Sequence, residues 1–243
     1  MIGRRTAAAM ARGCRGTLDF LQQGLMPKRC VFCGVIASGD DEYICAGCVQ
    51  DLPRIRFACR RCGVPLEVEP DATCASCQDK PPPFTCVVAP LRYEFPIDAA
   101  IKAFKFQRKL FYTPAFTEIL LAAASRLPST IDAILPVPLH RWRKLRRGYN
   151  QAYELARPIA AQLHLPILSS VVRSVATPPQ SGLDAAERQK NLRGAFRVRA
   201  RPGARHVLLV DDVMTTGATC VQLAELLINQ GVPAVSVLVL ARA

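Results

Sequence analysis

The sequence has no run of about 20 apolar residues, the length a helix needs to cross a bilayer, so membrane insertion is not expected. Near the start, Arg4-Arg5 superficially resembles a twin-arginine signal. No apolar segment follows it, only Gly16-Thr17-Leu18-Asp19-Phe20, and a cytoplasmic protein is expected. No aromatic-rich stretch of the kind that stacks single-stranded bases is visible; Trp142 and Tyr149 alone lie among arginines. No internal repeat occurs outside a set of cysteine pairs. Low hydrophobicity of the disordered kind is also absent: 50% of the 243 residues are hydrophobic, which allows a sizeable buried core.

Acid is scarce beside base, with 19 Asp and Glu against 32 Lys and Arg. Residues 1–95 hold 12 basic and 10 acidic residues, a charge of +2; residues 96–243 hold 20 and 9, a charge of +11. The excess therefore sits in the C-terminal part. Such a field attracts phosphorylated metabolites, nucleic acid or an acidic membrane surface without choosing among them.

Eight of the 11 cysteines form four C-x-x-C pairs: Cys30/Cys33, Cys45/Cys48, Cys59/Cys62 and Cys74/Cys77. A secreted disulfide scaffold would be shorter and less regular. Two residues between cysteines let both thiolates reach one tetrahedral ion, so two structural Zn²⁺ sites are expected. A segment this short has too little core to fold alone, and metal would supply its folding free energy. Sequential pairing of the tetrads is expected, although interleaved pairing has compatible spacing. Disulfides or an iron–sulfur cluster are the competing uses. Each loaded site carries about −2, which would bring the net charge of +13 to about +9. Cys14, Cys86 and Cys220 fall outside the pattern and read as free or buried thiols.

Leu18, Leu21 and Leu25 share a face in a short helix predicted over residues 17–26, and Met1 to Arg15 read as a disordered extension. Asp79-Lys80-Pro81-Pro82-Pro83 marks a linker. Three regions follow: an extension and short helix at 1–25, a double zinc ribbon at 26–83 and a larger domain at 84–243. In the last, strands are predicted at Phe84–Tyr93, Ile131–Val137, His206–Val210 and Ala234–Leu240. Helices are predicted at Ile97–Phe106, Pro114–Arg126, Gln151–Leu163 and Thr219–Asn229. This alternation indicates an α/β fold, a parallel sheet flanked by helices.

The most informative stretch runs from Val207 to Thr219. Four apolar residues lead into Asp211 and Asp212, where a buried strand would deliver them to the ligand edge of the sheet. Thr215, Thr216, Gly217, Ala218 and Thr219 then open a helix. Its N–H groups form an anion site, Gly217 lets backbone approach a phosphate, and the threonine hydroxyls add donors. The stretch resembles the 5-phosphoribosyl-1-pyrophosphate (PRPP) motif of type I phosphoribosyltransferases. By that resemblance Asp211 and Asp212 hold the ribose hydroxyls, Thr215 to Thr219 cradle the 5′-phosphate, and Mg²⁺ accompanies PRPP.

Two further segments carry basic side chains. Arg141, Arg143, Lys144, Arg146 and Arg147 follow the strand that ends in Pro-Val-Pro; Arg143 and Arg147 are candidate pyrophosphate ligands, against a solvated basic loop. Arg188, Lys190 and Arg193 lie in a polar segment between strands that could close as a lid, against a helix with a solvated face. Val137-Pro138-Leu139 with Arg147-Gly148-Tyr149-Asn150-Gln151, the spacing Glu187, Arg188, Asn191, Gly194, Phe196, and Ile101 to Phe106 together resemble the ComF family (ComFC/GntX-like). Tyr149 stands where the family commonly has Phe. With the cysteine pairs, the likeness covers roughly residues 25–243. It implies a type I phosphoribosyltransferase-like domain behind a double zinc ribbon, linked to DNA uptake in natural transformation. It implies either a phosphoribosyltransferase of unassigned acceptor, or a non-catalytic PRPP sensor or single-stranded-DNA-binding module. Single-stranded DNA and other competence proteins are the partners it suggests.

Overall fold

The computed structural model describes residues 29–36, 43–67, 72–174 and 194–243. The chain divides into two compact units, one ending at Asp51 and the other running from Leu52 to Ala243. The helix expected over 17–26 and the segment carrying Arg188, Lys190 and Arg193 lie outside the described residues.

In the first unit, helix α1 (Ala46–Gln50) follows a knuckle closed by Arg29 bridging Ile36. Cys30 N–H donates to the Val35 carbonyl at 2.8 Å and Gly34 N–H to the Cys30 carbonyl at 2.9 Å. The second unit opens with the same pattern. Cys59 N–H donates to Val64 at 2.8 Å, Gly63 N–H donates to Cys59 at 2.7 Å, and strands β1 (Phe57–Ala58) and β2 (Pro65–Leu66) pair antiparallel. Helix α2 (Ala75–Asp79) then starts at Cys74 as α1 starts at Cys45, both caps being extended at φ −67° and ψ 156°.

The second knuckle packs on the main sheet. A Cβ at Gly63 would meet Val87 Cγ1 at 2.7 Å, and Val87 N–H donates to the Arg60 carbonyl at 3.1 Å. Strands β3 (Val87–Val88) and β4 (Leu91–Arg92) follow, where one strand over Phe84–Tyr93 was expected. Pro90 breaks it, because proline brings no N–H to a ladder. The Pro90 carbonyl turns instead to the Ile55 N–H at 2.9 Å.

Helices α3 (Ile97–Phe106) and α4 (Thr113–Ala124) lead to strand β5 (Ala133–Pro136). Helix α5 (Arg141–Arg147) forms where no regular element was expected; His140 caps it by accepting the Trp142 N–H, and Gly148 ends it at φ +90°. Its basic last turn complements the negative end of the helix dipole. Helix α6 (Gln151–Leu163) starts at Asn150, whose side chain accepts the Ala152 N–H at 3.1 Å. The short strands β6 (Val171–Arg173) and β7 (Phe196–Val198) pair antiparallel. Strand β8 (His206–Met214), helix α7 (Ala218–Asn229) and strand β9 (Ala234–Arg242) complete the unit.

The five-stranded sheet is parallel throughout: β5, β8 and β9 lie side by side, and β3 then β4 pair along the far edge of β9. Both faces are covered, so the strands are apolar without alternation, as a buried parallel sheet requires. Val207, Leu209, Val235, Val237 and Val239 pack with Leu223, Ala224 and Leu227 of α7. The intervening residues face α4 and α6, which pack on β9 and β8. One buried polar link crosses the strand starts, where His206 Nε2 lies 2.9 Å from Ser236 Oγ and Nδ1 lies 2.8 Å from Thr130 Oγ1.

Candidate functional site

Strand lengths create the cleft. Pairing of β5 with β8 stops at Pro136↔Val210, followed by one bond from Val137 N–H to the Val210 carbonyl at 2.9 Å. Pairing of β8 with β9 continues to Met214↔Arg242. Beyond Val210, β8 therefore has a partner on one side only, and a cleft opens at the carboxyl ends of the strands, the usual ligand position in such sheets. The strand was expected to end at Val210; it runs four residues further, so Asp211 and Asp212 lie within it.

Successive strand residues point to opposite faces, which gives the two aspartates different surroundings. Asp212 is 2% exposed, and its Oδ1 accepts from Lys105 Nζ at 2.9 Å. Its Oδ2 is buried without a hydrogen-bond partner. Burial works against the Lys105 ammonium, but Asp212 and Asp211 together hold its pKa above the ordinary value. Asp211 accepts the Asp212 N–H on Oδ1 at 2.9 Å. Burial, and then the negative charge of Asp212, push its carboxyl up to about 8.

That shift fixes the sign of a pH effect. The ordinary value is 3.8, so between there and about 8 the folded chain holds a proton that the unfolded chain has released. The contribution of Asp211 to stability is full at acid pH and is lost as pH rises through that window. Asp211→Asn is expected to remove this slope and to raise unfolding free energy at pH 8 by roughly 1–3 kcal/mol, discounted for partial exposure. Urea unfolding at pH 5 and pH 8 measures it; an unchanged slope in the variant contradicts the assignment.

After Met214 the chain turns through Thr215 and Thr216, both exposed, to Gly217 at φ +78°, and α7 begins at Ala218. Gly217 is required twice over: its φ is left-handed, and a Cβ there would meet Met214 Cε at 2.5 Å. Thr216 Oγ1 accepts the Ala218 N–H at 3.4 Å. Thr215, Thr216, Gly217, Ala218 and Thr219 all line the cleft, so the N-terminal turn of α7 opens onto it.

The opposite wall is basic. Of the five cations in the Arg141–Arg147 run, Arg143 and Arg147 line the cleft. They are four residues apart in a helix and so share one face. Both are the candidates the sequence offers from this run, and the helical period is what places them side by side. Arg147 Nη1 donates to Gln151 Oε1 at 2.6 Å, and its guanidinium lies 5.1 Å from the Phe106 ring centre. Burial lowers the pKa of Arg143, followed by the charges of Arg147 and Arg146; burial lowers that of Arg147 too, countered by Asp212 and Asp211.

Lys105 and Arg173 also line the cleft and were not read as site residues in the sequence. A signal existed for Lys105: it continues the Ile97, Ile101 spacing of α3, so the buried stripe itself carries it inward. For Arg173 there was none, since β6 is three residues long and pairs with β7 across the undescribed segment. Its guanidinium stands 5.5 Å from the Phe196 ring centre. Burial, and then the charge of Arg143, push it down to about 10. Cations crowded at the cost of mutual repulsion make a ready site for a polyanion.

The eight paired cysteines assemble sequentially: Cys30, Cys33, Cys45 and Cys48 in the first unit, and Cys59, Cys62, Cys74 and Cys77 in the second. Within each group all Sγ atoms lie within 4.8 Å of one another. Cys33 and Cys45 Sγ are 3.6 Å apart, and Cys62 and Cys74 Sγ 3.7 Å. Tetrahedral zinc with bonds near 2.3 Å sets sulfur atoms about 3.8 Å apart, so both groups fit it. The thiols also compete for charge. Burial opposes ionisation of Cys30 and Cys59, but backbone N–H groups bring them down to about 6 and about 7. Burial and the neighbouring thiols push Cys48 and Cys77 up. A dication resolves this by letting all four ionise. These are structural zinc ligand sets, closed to a fifth ligand.

Fold and site thus define a phosphoribosyltransferase-type domain joined to zinc ribbons, and comparison with known families agrees. The double zinc ribbon domain model matches residues 13–78, and the phosphoribosyl transferase domain model matches residues 145–243. DNA utilization protein YhgH of Escherichia coli K12 is 34% identical over 223 residues, spanning 89% of this chain and 98% of its own. Competence protein F of Haemophilus influenzae is 33% identical over 224 residues, spanning 88% and 97%. Competence protein ComFC of Bacillus subtilis is 26% identical over 199 residues, spanning 79% and 80%. The chain belongs to the ComF family. Among the described residues, no helix is long and apolar enough to cross a membrane.

Proposed function

We propose that the cleft binds PRPP and transfers its 5-phosphoribosyl group to an acceptor, with release of pyrophosphate. One juxtaposition carries this reading: two strand-end aspartates stand between a threonine-lined helix start and a wall of arginines, all facing one cleft. The 5′-phosphate would take the N–H groups and hydroxyls of Thr215 to Thr219. The ribose hydroxyls would donate to Asp211 and Asp212. Lys105 commits Asp212 Oδ1, which leaves the unpartnered Oδ2 for ribose. Arg143, Arg147 and Arg173 would hold the pyrophosphate. Arg188, Lys190 and Arg193 are assigned to that group by sequence alone.

In the transfer, the acceptor's electron pair forms a bond to ribose C1 as the C1–O bond breaks and its pair leaves with pyrophosphate. The protein's part is to position the sugar and to stabilise separated charge: the Asp212 carboxylate beside the developing cation, arginines around the leaving anion. Mg²⁺ fits as a counter-ion on PRPP oxygens, where it would offset charge on the leaving group. Asp211 and Asp212 are the only carboxylates lining the cleft among the described residues, and one oxygen of Asp212 is already taken. The reading assigns transfer to residues 84–243, zinc binding to 26–83, and an extension to 1–25. The names of the relatives, DNA utilization and competence, support a role in DNA uptake, with single-stranded DNA or other competence proteins as partners.

Calorimetric titration of the full chain with PRPP, with and without Mg²⁺, is the test. Saturable binding strengthened by Mg²⁺ is expected; no saturable binding overturns the reading. Binding without pyrophosphate release across candidate acceptors would instead favour a PRPP-sensing module.

A further inference from the structure

Arg242 is a buried cation, 9% exposed, at the carboxyl end of β9. Its guanidinium is satisfied by main-chain oxygens from three places, the Cys62 turn, the end of β8 and the neighbouring Ala243. Nε donates to the Cys62 carbonyl at 3.2 Å, inside the second cysteine tetrad. Nη1 donates to the Met214 carbonyl at 3.1 Å and also to those of Thr215 and Ala243. Met214 and Thr215 begin the loop proposed above as the 5′-phosphate cradle.

Peptide units are planar and trans, so a carbonyl and the next N–H point in opposite directions. Holding the Met214 and Thr215 carbonyls toward Arg242 therefore aims the Thr215 and Thr216 N–H groups away from it, and both threonines line the cleft. The fork of a guanidinium can bind carbonyls in divergent directions at once, which a lysine ammonium on the same stem cannot reproduce. A tetrathiolate zinc centre carries about −2, and it lies on the Cys62 side of this cation. The centre that closes the knuckle thus also supplies counter-charge to the residue that shapes the loop.

We propose that Arg242 is a positioning residue that couples the second zinc centre to the phosphate loop: it sets the N–H groups of Thr215 and Thr216 for a sugar phosphate, and does so only while the Cys59/Cys62/Cys74/Cys77 centre is intact. The inference rests on the PRPP reading of the loop. It adds a purpose for the second ribbon beyond folding.

The test uses the full zinc-loaded chain and two probes, ribose 5-phosphate and inorganic pyrophosphate, each titrated by calorimetry. Arg242→Lys and Arg242→Gln are expected to keep the zinc content and to weaken ribose 5-phosphate binding about tenfold or more, the loss of several charge-assisted hydrogen bonds. Pyrophosphate, held by the arginine wall, is expected to bind as before. Cys74→Ser, which breaks the second tetrad, is expected to show the same selective loss with one zinc fewer. A merely structural role would weaken both probes together or neither. Undiminished ribose 5-phosphate binding in the Arg242 variants overturns the coupling, as does equal weakening of both probes. Failure of the unaltered protein to bind ribose 5-phosphate overturns the PRPP reading itself, so the two failures are distinct.

Discussion

Asp212→Asn is expected to lower PRPP affinity by about 100-fold and to destabilise the fold by about 3–5 kcal/mol, because it leaves the Lys105 ammonium buried beside a neutral amide. The pair is close, at 2.9 Å, and both partners are shielded from water. Surface ion pairs contribute little; this one is different because removing one member strands the other. Lys105→Met in the Asp212→Asn background removes both charges. It is expected to recover most of the stability and none of the binding, since the ribose acceptor is still missing. Thermal or urea unfolding and PRPP titration of the two single variants and the double variant form a complete cycle. Equal stability of Asp212→Asn and the unaltered protein would mean that the ion pair does not hold the strand end. PRPP binding restored in the double variant would mean that Asp212 matters only as a counter-charge.

The sheet was legible because its strands are apolar runs of the right length and its helices carry strong periodicity. Gln151–Leu163 and Ile97–Phe106 have the predicted bounds, each with a local start signal or an unbroken apolar stripe. What eluded reading was decided by partners. Nothing local tells β8 to continue past Val210; β9 keeps its ladder occupied to Met214. Nothing local splits β3 from β4 except Pro90, whose effect depends on which neighbour receives its carbonyl.

The site divides in the same way. Asp211, Asp212 and the loop from Thr215 to Thr219 are contiguous, so one motif contains them. Arg143 and Arg147 were legible as candidates, but the helix that puts them on one face, capped by His140 and Gly148, was not. Lys105 and Arg173 reach the cleft, and Arg242 the Met214–Thr215 backbone beside it, from other elements, 106, 38 and 31 positions from Asp211 in the chain by their numbering. Spacing along a chain carries no such information, because tertiary packing alone brings these side chains together.

The second large effect concerns metal. Elemental analysis is expected to find two zinc ions per chain, and breaking the two tetrads is expected to have unequal consequences. Cys59 is fully buried, Gly63 packs on Val87, and Ile55 and Phe84 belong to the same core as β8 and β9. Structural zinc supplies on the order of 10 kcal/mol to the fold that encloses it. If half of that is lost from the second unit, its melting temperature falls by about 10–20 °C. Cys59→Ser is therefore expected to lose one zinc and to shift the main unfolding transition by that much. Cys33→Ser breaks only the tetrad of the first unit, and is expected to lose one zinc while leaving the main transition within a few degrees. The asymmetry is the diagnostic feature. Equal shifts would show that the two ribbons form a single cooperative unit, and that the second does not belong to the core of the parallel sheet more than the first. A zinc count below two would overturn the double site directly, because the geometry of each tetrad fits one ion.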